Sequence, residues 1–199
     1  MDGTKSNMHL FFDTETTGTP KKYGIPPEKD VDNWPRAVEV AWMLFDGQEN
    51  EISRHKHIIK PVGFKIPIEA TEIHGITTER ANAEGSRIET VLDEFSKDVD
   101  NAKSLVAHNI DFDNSIMSAE FIRANIKHKM GQKRQYCTMR DATEYCRIPG
   151  NYGYKWPELH KKLFGMDFAN AHDALADVAA CAKCFFELQR RGVKPFSSI

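Results

Sequence analysis

Met8-His9-Leu10-Phe11-Phe12-Asp13-Thr14-Glu15-Thr16-Thr17-Gly18 is the stretch on which the reading of this chain turns. Its first half is apolar and aromatic, the composition of a buried strand. It reads as a strand over Met8 to Thr14 that runs into an acidic motif and stops at a glycine. Asp13 and Glu15 are two residues apart, and on a strand that spacing aims both side chains at one face. Two carboxylates on one face repel unless something positive joins them. Hard divalent cations such as Mg²⁺ take oxygen ligands of this kind.

Further strand signals follow. Ala37 to Phe45 is apolar, Asp46-Gly47 is a hairpin turn signal, and Ile52 to Lys60 reads as the partner strand. Between them and the first strand, Thr19 to Pro35 carries four prolines among Lys, Asp and Gly and reads as a long surface loop. From there strands and helices alternate. Ile68 to His74 is a short helix stopped by Gly75. Ile88, Val91, Leu92, Phe95 and Val99 recur at helical spacing within Ser86 to Val99. Ser104 to Ala107 is a short buried strand and Asp111 to Ile126 a helix. Gln135 to Thr138 is a strand, with a helix through Tyr145 or Cys146, a turn at Pro149 to Gly153, and helices at Trp156 to Phe164 and Asp173 to Arg191. The expected fold is α/β: a mixed central sheet whose first three strands form a meander, then alternation, with helices on both faces.

At 199 residues the chain reads as one domain, with a core over about 8–191, the 19–35 insertion and a short 192–199 tail. A net charge of -2 argues against a strongly basic nucleic-acid coat protein. It leaves room for a nuclease, because an acidic metal site can offset a basic groove. No run approaches the ~20 apolar residues of a membrane span, and Met1 to Asn7 is polar, so the expected location is cytoplasmic. Without an export signal, Cys137, Cys146, Cys181 and Cys184 are not expected to form a disulfide framework. Cys181 and Cys184 have CxxC spacing, but inside an alanine-rich helix that spacing reads as one buried face rather than zinc.

Two other places carry acids in readable settings. His108-Asn109-Ile110-Asp111-Phe112-Asp113 opens a helix, and spacing alone does not choose between Asp111 and Asp113. His172-Asp173-Ala174-Leu175-Ala176-Asp177 opens another. His172 and Asp177 lie roughly 140° apart on a helical wheel, so His172 hangs from the preceding loop with Asp173 as N-cap and Asp177 one turn in. A histidine there suits proton transfer near a carboxylate-held metal better than ligation. Lys127, Lys129, Lys133 and Arg134, with Lys161 and Lys162, form basic clusters that could steer phosphates.

Together these motifs resemble the DEDDh-type, DnaQ-like 3′→5′ exonuclease family, to which DNA polymerase III epsilon-like proofreading subunits belong. The family's Asp-x-Glu-Thr-Thr-Gly stands at Asp13 to Gly18, its His-Asn-x-x-Phe-Asp at His108 to Asp113, and its His-x-x-x-x-Asp at His172 to Asp177. A further segment, Ile-His-Gly-Ile-Thr, stands at Ile73 to Thr77. The resemblance spans about residues 8–191 and selects Asp113 over Asp111. It implies a ribonuclease H-like fold and two Mg²⁺ or Mn²⁺ ions held by Asp13, Glu15, Asp113 and Asp177, with His172 as general base. It implies substrate contacts at Thr16, Thr17, Ile73, His74, Asn109 and Phe112. The implied reaction is hydrolysis at 3′ ends of single-stranded nucleic acid, DNA before RNA, releasing nucleoside 5′-monophosphates. Exoribonuclease trimming is the alternative, and a non-catalytic polymerase-accessory module the third reading. The implied partners are single-stranded 3′ ends and a replication or repair polymerase. The chain ends soon after the last motif helix, which reads against the polymerase-binding extension of a bacterial proofreading subunit.

Overall fold

Phe11 and Phe12 point to opposite faces of one strand, and what each meets defines the layers. The computed structural model describes residues 7–146, 156–166 and 173–196. Its five-stranded sheet runs in the order β3-β2-β1-β4-β5. The strands are β1 (His9–Thr16), β2 (Ala37–Phe45), β3 (Glu51–Ile58), β4 (Ser104–Ala107) and β5 (Arg134–Cys137). β1 pairs antiparallel with β2, and β2 with β3, giving the expected meander. β4 joins β1 in parallel and β5 joins β4 in parallel. Parallel neighbours need long crossovers, and helices supply them.

The first crossover holds α1 (Ile68–His74), α2 (Thr78–Glu84) and α3 (Ile88–Asn101); α4 (Ile110–Arg123) joins β4 to β5. α5 (Thr138–Asp141), α6 (Thr143–Cys146), α7 (Trp156–Phe164) and α8 (Ala174–Arg190) follow. α2 is absent from the sequence reading. It buries only Ala81, so it has no apolar stripe to reveal it. Its readable signal was Thr77, whose side chain accepts from the Arg80 N–H as an N-cap. The expected turn at Pro149 to Gly153 lies outside the described residues.

On one face, Leu10, Phe12, Trp42 and Leu44 pack with Val91, Leu92 and Phe95 of α3 and Ile116 and Phe121 of α4. On the other, Phe11, Ala41, Met43 and Val106 pack with Leu159 and Leu163 of α7 and Val178, Cys181 and Phe185 of α8. Each large buried side chain contributes ~1.5–3 kcal/mol of transfer free energy, so both helical layers are firmly seated. All four cysteines are buried, and Cys181 Sγ lies 3.7 Å from Thr138 Oγ1. Among the described residues, no helix is long and apolar enough to cross a membrane.

The 19–35 insertion is anchored at its end. Trp34 is buried, donates from Nε1 to the Ile25 carbonyl and meets the Phe112 ring at 6.3 Å. Arg123 donates to the Val31 and Trp34 carbonyls, tying the loop to α4.

Candidate active site

β1, β4 and β5 run in the same direction, so their C-terminal ends share one edge of the sheet. Asp13 and Glu15 lie at that end of β1, α4 starts just beyond β4, and α8 crosses β1 and β2 there. Asp13, Glu15 and Asp177 each offer a carboxylate oxygen within 4.8 Å of the other two. The two-residue period that aligns Asp13 with Glu15 is local. Asp177 arrives because Asp173 caps α8, accepting from the Leu175 and Ala176 N–H groups, and places Asp177 one turn in.

Asp113 completes the acidic set from α4. It is buried, and its Oδ1 accepts from the Thr14 N–H at 3.0 Å and the Thr14 hydroxyl at 2.7 Å. Asp111 points outward and pairs with Arg140 at 2.8 Å. The choice left open by spacing is therefore made by packing: Asp113 faces β1 and Asp111 faces solvent.

The cluster is electrostatically costly by itself. Burial, and then the charges of Asp113, Asp177, Glu15 and Glu39, hold the Asp13 carboxyl well above the ordinary carboxylate range. Glu15 is pushed up to about 8 by burial, then by Asp177 and Glu39. Asp113 is pushed up to about 7 by burial, against the two Thr14 hydrogen bonds that favour its anion. A donor set made entirely of carboxylate oxygens fits a hard divalent cation, which would relieve this repulsion.

Glu39 and Lys56 belong to this neighbourhood and were missed in the sequence. Glu39 is opposite Glu15 in the β1–β2 register and is buried. Lys56 Nζ lies 3.5 Å from Glu39 and 2.6 Å from Asp173, linking β2, β3 and the α8 cap. The available signal was a single acid inside the apolar run Ala37 to Phe45.

Beside Glu15, a pocket of about 260 Å³ is lined by Thr16, Thr17, Gly18, Ile73 and His74. Gly18 has φ 145, a left-handed value that makes the turn closing this wall a glycine position. Ile73 is 60% exposed, a large apolar side chain presented to solvent at the pocket rim. His74 Nδ1 accepts from the Ile76 N–H, and burial lowers its pKa. Thr17 is partly committed, its hydroxyl accepting from the Arg36 N–H. A second pocket of about 450 Å³ lies between Phe112, Asn109 and the insertion residues Tyr23, Ile25 and Trp34. The sequence singled out Phe112 and Asn109 but not the loop that faces them.

His172 lies outside the described residues. The basic residues split differently from the expectation. Arg134 opens β5 at the sheet edge remote from the carboxylates, Lys133 donates to the Asp100 and Ala102 carbonyls, and Lys129 pairs with Asp100. Lys129 and Lys133 thus bind the far end of α3 rather than lining the site.

A family model described as Exonuclease (RNase_T) matches residues 10–185. The chain belongs to this DEDDh-type exonuclease family, and its sheet and helices form the ribonuclease H-like fold. The family depends on divalent metal, and the acidic residues here are positioned to hold it. No curated protein matches the sequence. Among solved structures, exonuclease I superposes with a TM-score of 0.76 at 21% identity, covering 97% of this chain and 43% of that one. E. coli exonuclease I bound to a dT13 oligonucleotide gives 0.75 at 22% identity, with 97% and 43% covered. Its zinc-bound complex with single-stranded DNA gives 0.75 at 22%, with 97% and 42% covered. The chain thus spans less than half the length of these structures.

Proposed function

We propose that this protein is a metal-dependent 3′→5′ exonuclease acting on single-stranded ends, DNA before RNA. The observation that carries this reading is the convergence of Asp13, Glu15 and Asp177 within 4.8 Å, with a nucleotide-sized pocket beside Glu15. Asp13, Glu15, Asp113 and Asp177 would hold two Mg²⁺ or Mn²⁺ ions. When bound, such ions supply Lewis-acid stabilisation of the attacking and leaving oxygens.

The chain's own residues do the rest. Thr14 fixes the Asp113 carboxylate by two hydrogen bonds, so one wall of the site is set before substrate arrives. Thr16, Thr17, Ile73 and His74, which line the pocket beside Glu15, would receive the terminal nucleotide, and Asn109 and Phe112, which line the second pocket, would contact the strand there. Stacking on Phe112 is worth ~1–3 kcal/mol per base and tolerates any base. His172 takes the proton of the attacking water; its neighbour Asp173 is held by Lys56. The choice of DNA rests on the dT13 and dA16 complexes of E. coli exonuclease I. We propose a replication or repair polymerase as a partner, tested by co-purification.

The direct test is release of mononucleotides from end-labelled single-stranded DNA and RNA in Mg²⁺, Mn²⁺ or excess EDTA, beside a covalently closed circle. The expected result is metal-dependent loss of 3′ label, 5′-monophosphate products and an intact circle. Nicking of the circle would mean an endonuclease, and faster RNA loss would assign an exoribonuclease.

A further inference from the structure

The other face of the β2–β3 pair carries a second group of ligating side chains that the nuclease reaction does not use. β3 is an edge strand, and His55 and His57, two residues apart, share one of its faces. Strand alternation sets that face. His55 is opposite Trp42 and Lys56 is opposite Ala41, while Phe12 pairs with Trp42 and Asp13 with Ala41. The histidines therefore lie on the α3 face with Phe12 and Trp42, and Asp13, Glu15 and Asp177 emerge on the α8 face.

One helical turn apart on α3, Glu94 and Asp98 face the two rings. His57 Nε2 lies 2.8 Å from Glu94 Oε2, and His55 Nδ1 lies 3.5 Å from Glu94 Oε1. One atom each from His55, His57 and Glu94 falls within 4.8 Å of the other two. His57 Nε2 is shielded from solvent, yet makes no hydrogen bond of acceptable geometry with a described residue. Its 2.8 Å approach to Glu94 is tighter than that of two ligands on one tetrahedral ion, so an ion entering between them would part the two atoms slightly.

The rings are also held in place. Trp42 stacks on His55 at 4.6 Å and 15° and on His57 at 5.3 Å and 29°. Behind His55, Asp98 Oδ2 lies 3.6 Å from Nε2 and accepts from Trp42 Nε1 and the Ser53 hydroxyl. A carboxylate behind one ring nitrogen leaves the other free to ligate, the arrangement usual for metal-bound histidine.

We propose that His55, His57 and Glu94 form a second metal site that takes a borderline divalent ion of the zinc class. Two imidazole nitrogens and one carboxylate select such an ion over Mg²⁺, which prefers oxygen ligands. Bonds of ~2.0–2.2 Å in tetrahedral geometry place donors roughly 3.3–3.5 Å apart. The observed 3.5 and 2.8 Å separations need only small side-chain adjustments. All three ligands are half-buried, so water can reach the fourth position. The ion would staple the edge strand to α3, on the opposite face from Asp13, Glu15 and Asp177.

The test is a titration of the full chain with Co²⁺ and then Zn²⁺, in excess Mg²⁺ to occupy the carboxylates. Expected are a strong visible Co²⁺ band of low-coordinate, nitrogen-bound character, its displacement by Zn²⁺, and two hyperfine-shifted imidazole N–H resonances in the wild-type protein. Asp98→Asn should weaken binding by about 10–100-fold, and His55→Gln or His57→Gln by more than that. Asp13→Asn should leave the band unchanged. The inference is overturned if the wild-type protein gives no such band and resonances, or if the band survives in both histidine variants and disappears in Asp13→Asn. The wild-type resonances decide the matter even where a histidine variant fails to fold.

Discussion

The two faces of the β1–β2–β3 meander each gather titratable side chains from a strand and a helix, yet they differ in kind. On the α8 face, Asp13, Glu15 and Asp177 are all acids, with buried Asp113 and Glu39 close by, and burial raises the protonation of several of them. On the α3 face, His55 and His57 meet Glu94 and Asp98, a mixed set that can pair internally. A like-charged cluster is stable only with a cation or with protons. A mixed cluster is tolerable without either, and binds a softer ion when one is present. The difference teaches that strand alternation can put two unrelated chemistries back to back, and that ligand type decides which ion each face selects.

The largest effect should come from removing an acid on the α8 face. Asp13→Ala, folded and metal-saturated, should lose activity by about 10³-fold or more, as for a residue of a unit that acts together. His55→Gln and His57→Gln should leave turnover unchanged under the same conditions. Mononucleotide release by all three variants checks this. Comparable losses in the histidine variants would mean that the two faces are coupled.

Next in size, His172→Ala should lower turnover by ~10²–10⁴-fold while single-strand binding persists. The acidic limb of the pH–rate profile must be measured at saturating metal. At low metal it reports the carboxylates instead, because Glu15 and Asp113 titrate at about 8 and about 7, and metal binding must displace their protons. At saturation the limb should reflect the base and flatten in His172→Ala. Asp173→Ala serves as the control for loss of the α8 cap. A wild-type profile in His172→Ala would remove this residue from the mechanism.

A smaller effect concerns stability. In the metal-free protein the folded chain holds protons on Asp13, Glu15 and Asp113 to higher pH than the unfolded chain does. It therefore binds more protons, and its stability falls as pH rises from the ordinary carboxylate range of about 4 through the folded values of about 7 and about 8. Asp13→Asn should stabilise the metal-free protein by about 1–3 kcal/mol near pH ~8 and by little near pH ~5. Each kcal/mol corresponds to a Tm rise of ~2–4 °C. Thermal melts in EDTA at the two pH values measure it. A larger gain at the lower pH would contradict the repulsion.

Smallest is the effect of Thr14→Val. Losing the hydroxyl bond to buried Asp113 should cost ~1–2 kcal/mol and leave the backbone N–H bond in place. Urea melts of the metal-bound protein read it directly. A null result would show that the backbone bond alone positions Asp113.

Much of this molecule is determined by sequence alone, wherever the signal is local. The bounds of β2, α1, β4 and α7 follow from apolar runs, Gly75 and the helical period, and Asp13 and Glu15 share a face because strands repeat every two residues. Asp173 is legible as an N-cap because its side chain needs only the next turn. Tertiary structure alone decided the rest. Strand order and register brought Asp177 to β1, set Glu39 opposite Glu15 and Lys56 beside Asp173, and folded the 19–35 insertion onto Phe112, while the packing of α4 turned Asp113 toward β1 and Asp111 toward solvent. They also carried Lys129, Lys133 and Arg134 to the far edge of the sheet and set Glu94 of α3 against His55 and His57. The physical reason is that periodicity and capping act over one or two turns of chain. Convergence depends on which strands pair and in which register, and burial across the whole domain settles that.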